Sequence, residues 1–140
     1  YLKDHPETNF FHFNVDLAQG PCVIKRLRGC GAGCEYVAIT PEGDIYPCHQ
    51  FVGNEDYKLG SLYDGTFDKE LSGRFAGLNI YTREECRDCW ARFYCSGGCS
   101  ASNLLVNGDI KKPHRVGCEL ERKRLECAIA LRAIAAGMAE

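Results

Sequence analysis

The feature that most constrains this chain is a run of cysteines, Cys86-x2-Cys89-x5-Cys95-x3-Cys99, followed eighteen residues later by Cys118. Two thiols separated by two residues reach one metal centre, and a centre with four thiolate ligands needs them from diverging directions. Five cysteines are one more than a single such centre uses. In two-cluster proteins one cysteine of a tight run serves the neighbouring centre. Cys99 suits that part, because Cys86, Cys89 and Cys95 are completed by Cys118. The first half of the chain then supplies the partners of Cys99. Cys30 and Cys48 can join it, with either Cys22 or Cys34 as the remaining ligand, or with one metal position left open.

Three chemistries compete for such a cysteine set: disulfides, zinc and iron–sulfur clusters. Disulfide-dense chains are usually secreted and short of core. This chain is 45% hydrophobic over 140 residues, and its start, Tyr1-Leu2-Lys3-Asp4-His5, has no export pattern. Zinc ribbons usually pair two CxxC knuckles, and only Cys86-x2-Cys89 has that spacing here. The pattern therefore favours two 4Fe–4S clusters. A zinc-binding structural or interaction module, and a stand-alone ferredoxin-like electron carrier, are the alternatives. The histidines His5, His12, His49 and His114 are not needed as ligands, although His49 directly follows Cys48. Cys127 falls on the apolar face of a C-terminal helix, where a free cysteine packs as a small hydrophobe.

A net charge of −2 gives no reason to expect nucleic acid or an anionic membrane as partner. The longest apolar stretch, 128–138, is interrupted by Arg132 and is too short to span a bilayer. A cytoplasmic location is expected.

Local patterns place the cysteines. Gly29, Gly31 and Gly33 surround Cys30 and Cys34 and let backbone approach a cluster closely. Tyr36 to Thr40 and Ile45-Tyr46 read as a β-hairpin around a Pro41-Glu42-Gly43-Asp44 turn, which folds Cys48 back beside Cys30 and Cys34. Residues 49–65 read as loop with extended pieces such as Tyr57-Lys58-Leu59, and 66–78 as a short helix around Phe67 to Leu71 with Phe75. Thr82-Arg83-Glu84-Glu85 has the form of a capping box that starts the turn carrying Cys86 and Cys89. Residues 94–110 are Gly- and Ser-rich before an Asn107-Gly108 turn. A final helix spans about 118–138, with Leu131, Ile134, Met138 and Cys127 on one face. The backbone amides of Gly31, Gly33, Gly97 and Gly98 are candidates for hydrogen bonds to sulfur, and Tyr36, Tyr46, Phe51, Trp90 and Tyr94 for shielding it from water. The expected fold is α+β: a small, irregular, Cys-rich domain with a β-hairpin, short helices and a C-terminal helix, built around two iron–sulfur clusters.

The full pattern, Cys30-x12-Gly43-x4-Cys48, then Cys86 to Cys99, then Cys118, resembles the SPASM domain over about residues 22–120. SPASM domains are C-terminal extensions of radical S-adenosylmethionine enzymes that modify peptides. The resemblance implies two auxiliary 4Fe–4S clusters. The outer one takes Cys86, Cys89, Cys95 and Cys118; the inner one takes Cys30, Cys48 and Cys99, with Cys22 as the upstream ligand and Cys34 as its alternative. It also divides the chain into a lead-in from an upstream radical S-adenosylmethionine domain (1–20), the two-cluster domain (21–120) and a C-terminal helix (121–140). Segments Pro21 to Gly33 and Tyr46 to Gly53 are similar to maturases that install thioether crosslinks in ribosomal peptides, including those acting on peptides with six cysteines in forty-five residues. The implied role is to accept an electron and to position a Cys-containing precursor peptide. The radical family's own Cys-x3-Cys-x2-Cys motif is absent: Cys30-x3-Cys34 is followed by Val37, and Cys95-x3-Cys99 by Ser102. The chain is thus expected to be an excised part of such an enzyme. It would not be catalytically competent alone and would meet S-adenosylmethionine only through the upstream domain.

Overall fold

The computed structural model describes residues 1–2, 4–5, 7–17 and 23–138; Cys22 lies outside the described residues. The architecture is α+β. Strands β1 (Ala38–Ile39), β2 (Asp44–Tyr46), β3 (Gly60–Ser61) and β4 (Thr66–Phe67) form an antiparallel sheet in sequence order. Helices α1 (Val23–Arg28), α2 (Lys69–Ala76), α3 (Arg92–Cys95), α4 (Ser100–Asn107) and α5 (Arg115–Ala135) surround it.

The expected hairpin forms where its turn chemistry dictates. Ala38 pairs with Tyr46 and Ile39 with Ile45. Gly43 closes the turn at φ 81°, a left-handed conformation open to glycine at little cost. The hairpin is only half of the sheet, however. Gly60–Ser61 pairs onto β2 inside what the sequence reads as loop, and Thr66–Phe67 pairs onto β3 at the start of the stretch it reads as a short helix. These two-residue strands carry no alternating pattern of their own; pairing with β2 creates them. The segment expected to be extended at Tyr57 is instead a 3-10 turn, Glu55–Tyr57, capped by the Asn54 side chain. Phe67 ends β4, so α2 starts later than its apolar spacing suggests, at Lys69, with the Asp68 carboxylate accepting from Leu71 N at 2.8 Å.

Ile45, Tyr46, Cys48, Phe51, Leu59, Leu71, Phe75, Leu78, Ala101 and Ile110 form the core, and it joins the sheet to α2 and α4. Phe51 and Phe75 meet edge to face with centroids 5.4 Å apart. Each fully buried side chain of this size contributes about 1.5–3 kcal/mol. The core thereby fixes both Cys48, which it buries, and the start of α4 just after Cys99.

The second half is tied to the first through short links. Ile80 N donates to Leu27 O at 3.0 Å, α1 packs on α3, and the Arg124 side chain donates to the His12 carbonyl. The helix expected over 118–138 runs from Arg115 to Ala135; Met138 lies beyond its end and is 81% exposed, while Leu131 and Ile134 are half-buried. Within the Gly- and Ser-rich stretch 94–110, Ser100–Asn107 form α4, closed by Gly108 in the left-handed conformation. Among the described residues no helix is long and apolar enough to cross a membrane.

Candidate metal centre

The outer cysteines converge. Cys86 ends a 3-10 turn (Glu84–Cys86), and Cys89 N donates back to Cys86 O at 3.2 Å. Cys95 is the last residue of α3, and Cys118 sits in the first turn of α5. All four line one cavity of about 410 Å³, with Arg92, Lys112, Arg115 and Arg122 also on its walls. The anticipated capping box does not start this turn. Thr82 Oγ1 accepts from Asn79 N at 2.9 Å and donates toward Gly77 O and Asn79 O, so it belongs to the preceding turn, and Arg83 enters the 3-10 turn with no side-chain cap.

The position of Cys118 is set by two asparagines. Asn103, buried on α4, donates to Ile110 O and accepts from His114 N at 2.9 Å; Asn107 donates to Lys112 O and Pro113 O. These bonds brace residues 108–114 and thereby fix the entry to α5. Polar residues on a Ser-rich stretch give no sign of burial in the sequence, so this bracing was not legible there.

Burial dominates the acidity of these thiols. It pushes Cys86 up to about 11, and it raises Cys95 and Cys118 as well. As free side chains they are neutral at pH 7, and thiolates arise when a metal replaces the proton. The chain has features that fit such a replacement. Ser96, Gly97 and Gly98 are three consecutive left-handed residues (φ 58°, 86° and 72°). They turn the Gly97 and Gly98 amides toward the Cys95 sulfur, where those amides oppose the effect of burial. Among the described residues the buried Nε atoms of Arg83 and Arg92 have no hydrogen-bond partner. Cationic N–H groups without acceptors, next to thiols lining a roomy cavity, match a group that brings negative charge and sulfur acceptors. Among the described residues no three His, Cys, Asp or Glu side chains close to the spacing of a single metal ion.

The inner cysteines are arranged differently. Cys48 is buried, whereas Cys30, Cys34 and Cys99 are exposed. The Tyr36 hydroxyl lies 3.9 Å from the Cys30 sulfur, and burial, Cys30 and Cys48 together push this phenol up to about 12. Tyr36 thus lies near both Cys30 and Cys48. Cys34 turns back to donate to Gly31 O at 3.4 Å. Cys30 and Cys34 share a cleft of about 20 Å³ with Gly98 and Ser100, the neighbours of Cys99. Cys99 itself lines a separate hollow with Cys95 and Cys118. The Gly33 amide is taken by Tyr36 O and Pro47 O, both at 2.9 Å, so it is not directed at sulfur as expected. Of the aromatic residues, Tyr46 and Phe51 serve the core, and Trp90 and Tyr94 are exposed.

This paired layout, a walled cavity with four thiols and a second group around the hairpin, has a family counterpart. The family model for SPASM, described as an iron–sulfur cluster-binding domain, matches residues 30–90. Those residues are a SPASM domain. The match takes in Cys30, Cys34, Cys48, Cys86 and Cys89, and Cys95, Cys99 and Cys118 follow it. The chain is also similar to longer proteins. It is 31% identical over 101 residues to an uncharacterized protein of Archaeoglobus fulgidus, covering 69% of this chain and 24% of that protein. It is 28% identical over 102 residues to the PqqA peptide cyclase of Xanthomonas axonopodis pv. citri, covering 68% and 27%. It is 31% identical over 111 residues to the mycofactocin maturase MftC of Mycobacterium ulcerans, covering 75% and 29%. The chain therefore spans less than a third of the length of the curated relatives it matches.

Proposed function

We propose that this SPASM domain is the auxiliary two-cluster part of a radical S-adenosylmethionine enzyme that modifies a ribosomal precursor peptide. Cys86, Cys89, Cys95 and Cys118 would hold the outer 4Fe–4S cluster. Cys30, Cys48, Cys99 and Cys22 would hold the inner one, with Cys34 as the alternative to Cys22. The observation that carries this reading is the single cavity lined by all four outer thiols, which come from both sides of the SPASM match boundary.

When bound, clusters of this kind accept and return single electrons. The chain's own part is to hold and tune them. The Gly97 and Gly98 amides address the Cys95 sulfur, Tyr36 addresses Cys30 and Cys48, and the basic residues around the outer cavity offset its negative charge. The exposure of Cys30, Cys34 and Cys99 leaves the inner group open to an incoming peptide. The relatives that carry a functional name are a peptide cyclase and a maturase, which supports a peptide substrate. The narrower reading, a thioether between a peptide cysteine and a backbone carbon, rests on the likeness of residues 21–33 and 46–53 to thioether-forming maturases.

Iron and acid-labile sulfide counting on anaerobically purified protein tests this. About eight of each per chain are expected for two cubanes. A colourless protein carrying zinc would replace the reading with a zinc-stabilised module. The substrate is tested by incubating the full-length enzyme with precursor peptides and S-adenosylmethionine; a mass loss of two hydrogens per crosslink is expected, and peptides lacking cysteine should remain unmodified.

A further inference from the structure

We propose that Arg83 is a positioning residue for both cysteine groups: its buried guanidinium pins the loop between Cys95 and Cys99 and supplies the fixed counter-charge for their ionised sulfurs. The proposal rests on the iron–sulfur reading above and adds a residue that no cysteine pattern points to.

Arg83 is 3% exposed. Nη1 donates to Gly97 O at 2.7 Å, and Nη2 donates to Ser100 Oγ at 3.0 Å. Both acceptors lie on the segment that leads from Cys95, in the outer cavity, past Cys99 to α4. The guanidinium fits beneath this segment because residue 97 has no side chain: a Cβ there would sit 3.1 Å from Arg83 Cδ and 3.2 Å from Nε. The third nitrogen, Nε, is buried without a hydrogen-bond partner among the described residues.

The only carboxylate that favours the charge, Asp109, acts from beyond ion-pair distance among the described residues. Among the described residues Arg83 makes no ion pair with a carboxylate. Burial works against its charge, and the groups that favour it are Cys86, Cys95, Asp109 and Cys99. Three of these four are thiols drawn from both proposed ligand sets. A guanidinium does not shed its proton in a protein, and an uncompensated buried charge is strongly unfavourable. With protonated thiols that cost stands. Once the sulfurs ionise on binding metal, the cation has its partners. A rigid planar fork that holds two acceptors while carrying charge is a task lysine performs poorly.

Two consequences separate this role from simple loop bracing. A nearby cation favours the more negative, reduced form of a cluster, so removing it lowers the reduction potential. Losing only the fork, with charge retained, should loosen the loop and leave the potential in place. The test uses anaerobically purified, iron-loaded full-length protein bearing Arg83→Met or Arg83→Lys, with EPR-monitored redox titration and the rate of iron loss to a chelator. Arg83→Met is expected to shift the reduction equilibrium at least tenfold toward the oxidised form, about 59 mV for a one-electron couple. Arg83→Lys is expected to keep the wild-type potential and to lose iron several-fold faster. Unchanged potentials in iron-loaded Arg83→Met would overturn the proposal, and so would equal shifts in both variants. If Arg83→Met retains no iron, Arg83→Lys decides: wild-type potential with faster iron loss supports the role, and wild-type behaviour in both measurements overturns it. Wild-type protein without iron and sulfide sinks the iron–sulfur reading together with this one, whereas iron-loaded wild type with unmoved variants sinks this one alone.

Discussion

The two cysteine groups of this chain are built on opposite plans. The outer group is held by helical segments around a cavity of about 410 Å³, its thiols withdrawn from water and its backbone braced by Asn103, Asn107 and the left-handed run at 96–98. The inner group hangs on the sheet. Cys48 is locked into the hydrophobic core, but Cys30 and Cys34 are exposed at a cleft of about 20 Å³, and Cys99, also exposed, lines a neighbouring hollow while its neighbours Gly98 and Ser100 face the cleft. The difference teaches a division of labour. A site whose walls depend on a few polar bonds and short helices needs its metal to stay folded, because ligand binding and folding are then one event. A site attached to a packed core keeps its frame without metal and can leave a face open.

The largest expected effect follows directly. Cys86→Ala or Cys118→Ala should remove about four irons per chain and also unfold much of the C-terminal half, because its buried apolar residues around the outer cavity are few, Ala91, Leu125 and Ala128 lying outside the main core cluster. Iron analysis with far-UV circular dichroism on the same samples checks both parts. Loss of iron with an intact helical signal would break the contrast, since the outer frame would then be independent of its metal.

The inner group should respond more mildly. Cys30→Ala and Cys99→Ala should each cost about four irons yet leave the helical signal near wild type, since neither residue is a member of the core cluster around Tyr46, Phe51 and Phe75. Comparing Cys22→Ala with Cys34→Ala sharpens the map. Cys34 already donates to the Gly31 carbonyl, so its loss is expected to leave iron content unchanged, and the loss of Cys22 to lower it.

A smaller effect is expected at Gly97. Its left-handed φ of 86° and its contact with Arg83 make Gly97→Ala doubly unfavourable. Destabilisation of about 1–3 kcal/mol, read as a lower denaturant midpoint in iron-loaded protein, is the expected result. The corresponding Gly53→Ala meets nothing within 4 Å and carries only the left-handed penalty, so it should cost less.

These effects also explain what could be read from sequence. The hairpin was legible because the Pro41 to Asp44 turn specifies itself locally, and the C-terminal helix because its apolar spacing is long. The outer four cysteines were grouped by counting, since a CxxC and one follower need one more thiol once Cys99 is given to the other site. The rest depends on contacts between distant segments. Strands β3 and β4 exist only by pairing with β2. Thr82 matches a capping box but is claimed by the Asn79 turn. The burial of Arg83 and Asn103 has no sign in the sequence, because burial of a polar side chain is decided by what covers it, which no local pattern records. The placement of Cys99 between two hollows, with its neighbours facing the inner cleft, is likewise a property of the folded loop.

The smallest expected effect is at Cys127, and it sharpens the comparison by its silence. Cys127 is half-buried on α5, beside Phe13, Leu120 and Arg124, in a hollow that contains no other cysteine. It lies nine residues beyond Cys118, well past the turn that reaches the outer cavity. A free thiol there is a small apolar filler. Cys127→Ala should leave iron and sulfide counts at wild-type values and change stability by less than about 1 kcal/mol. Halved iron in that variant would mean that α5 delivers a second ligand, and the separation of the two groups into a helical site and a sheet-bound site would no longer hold.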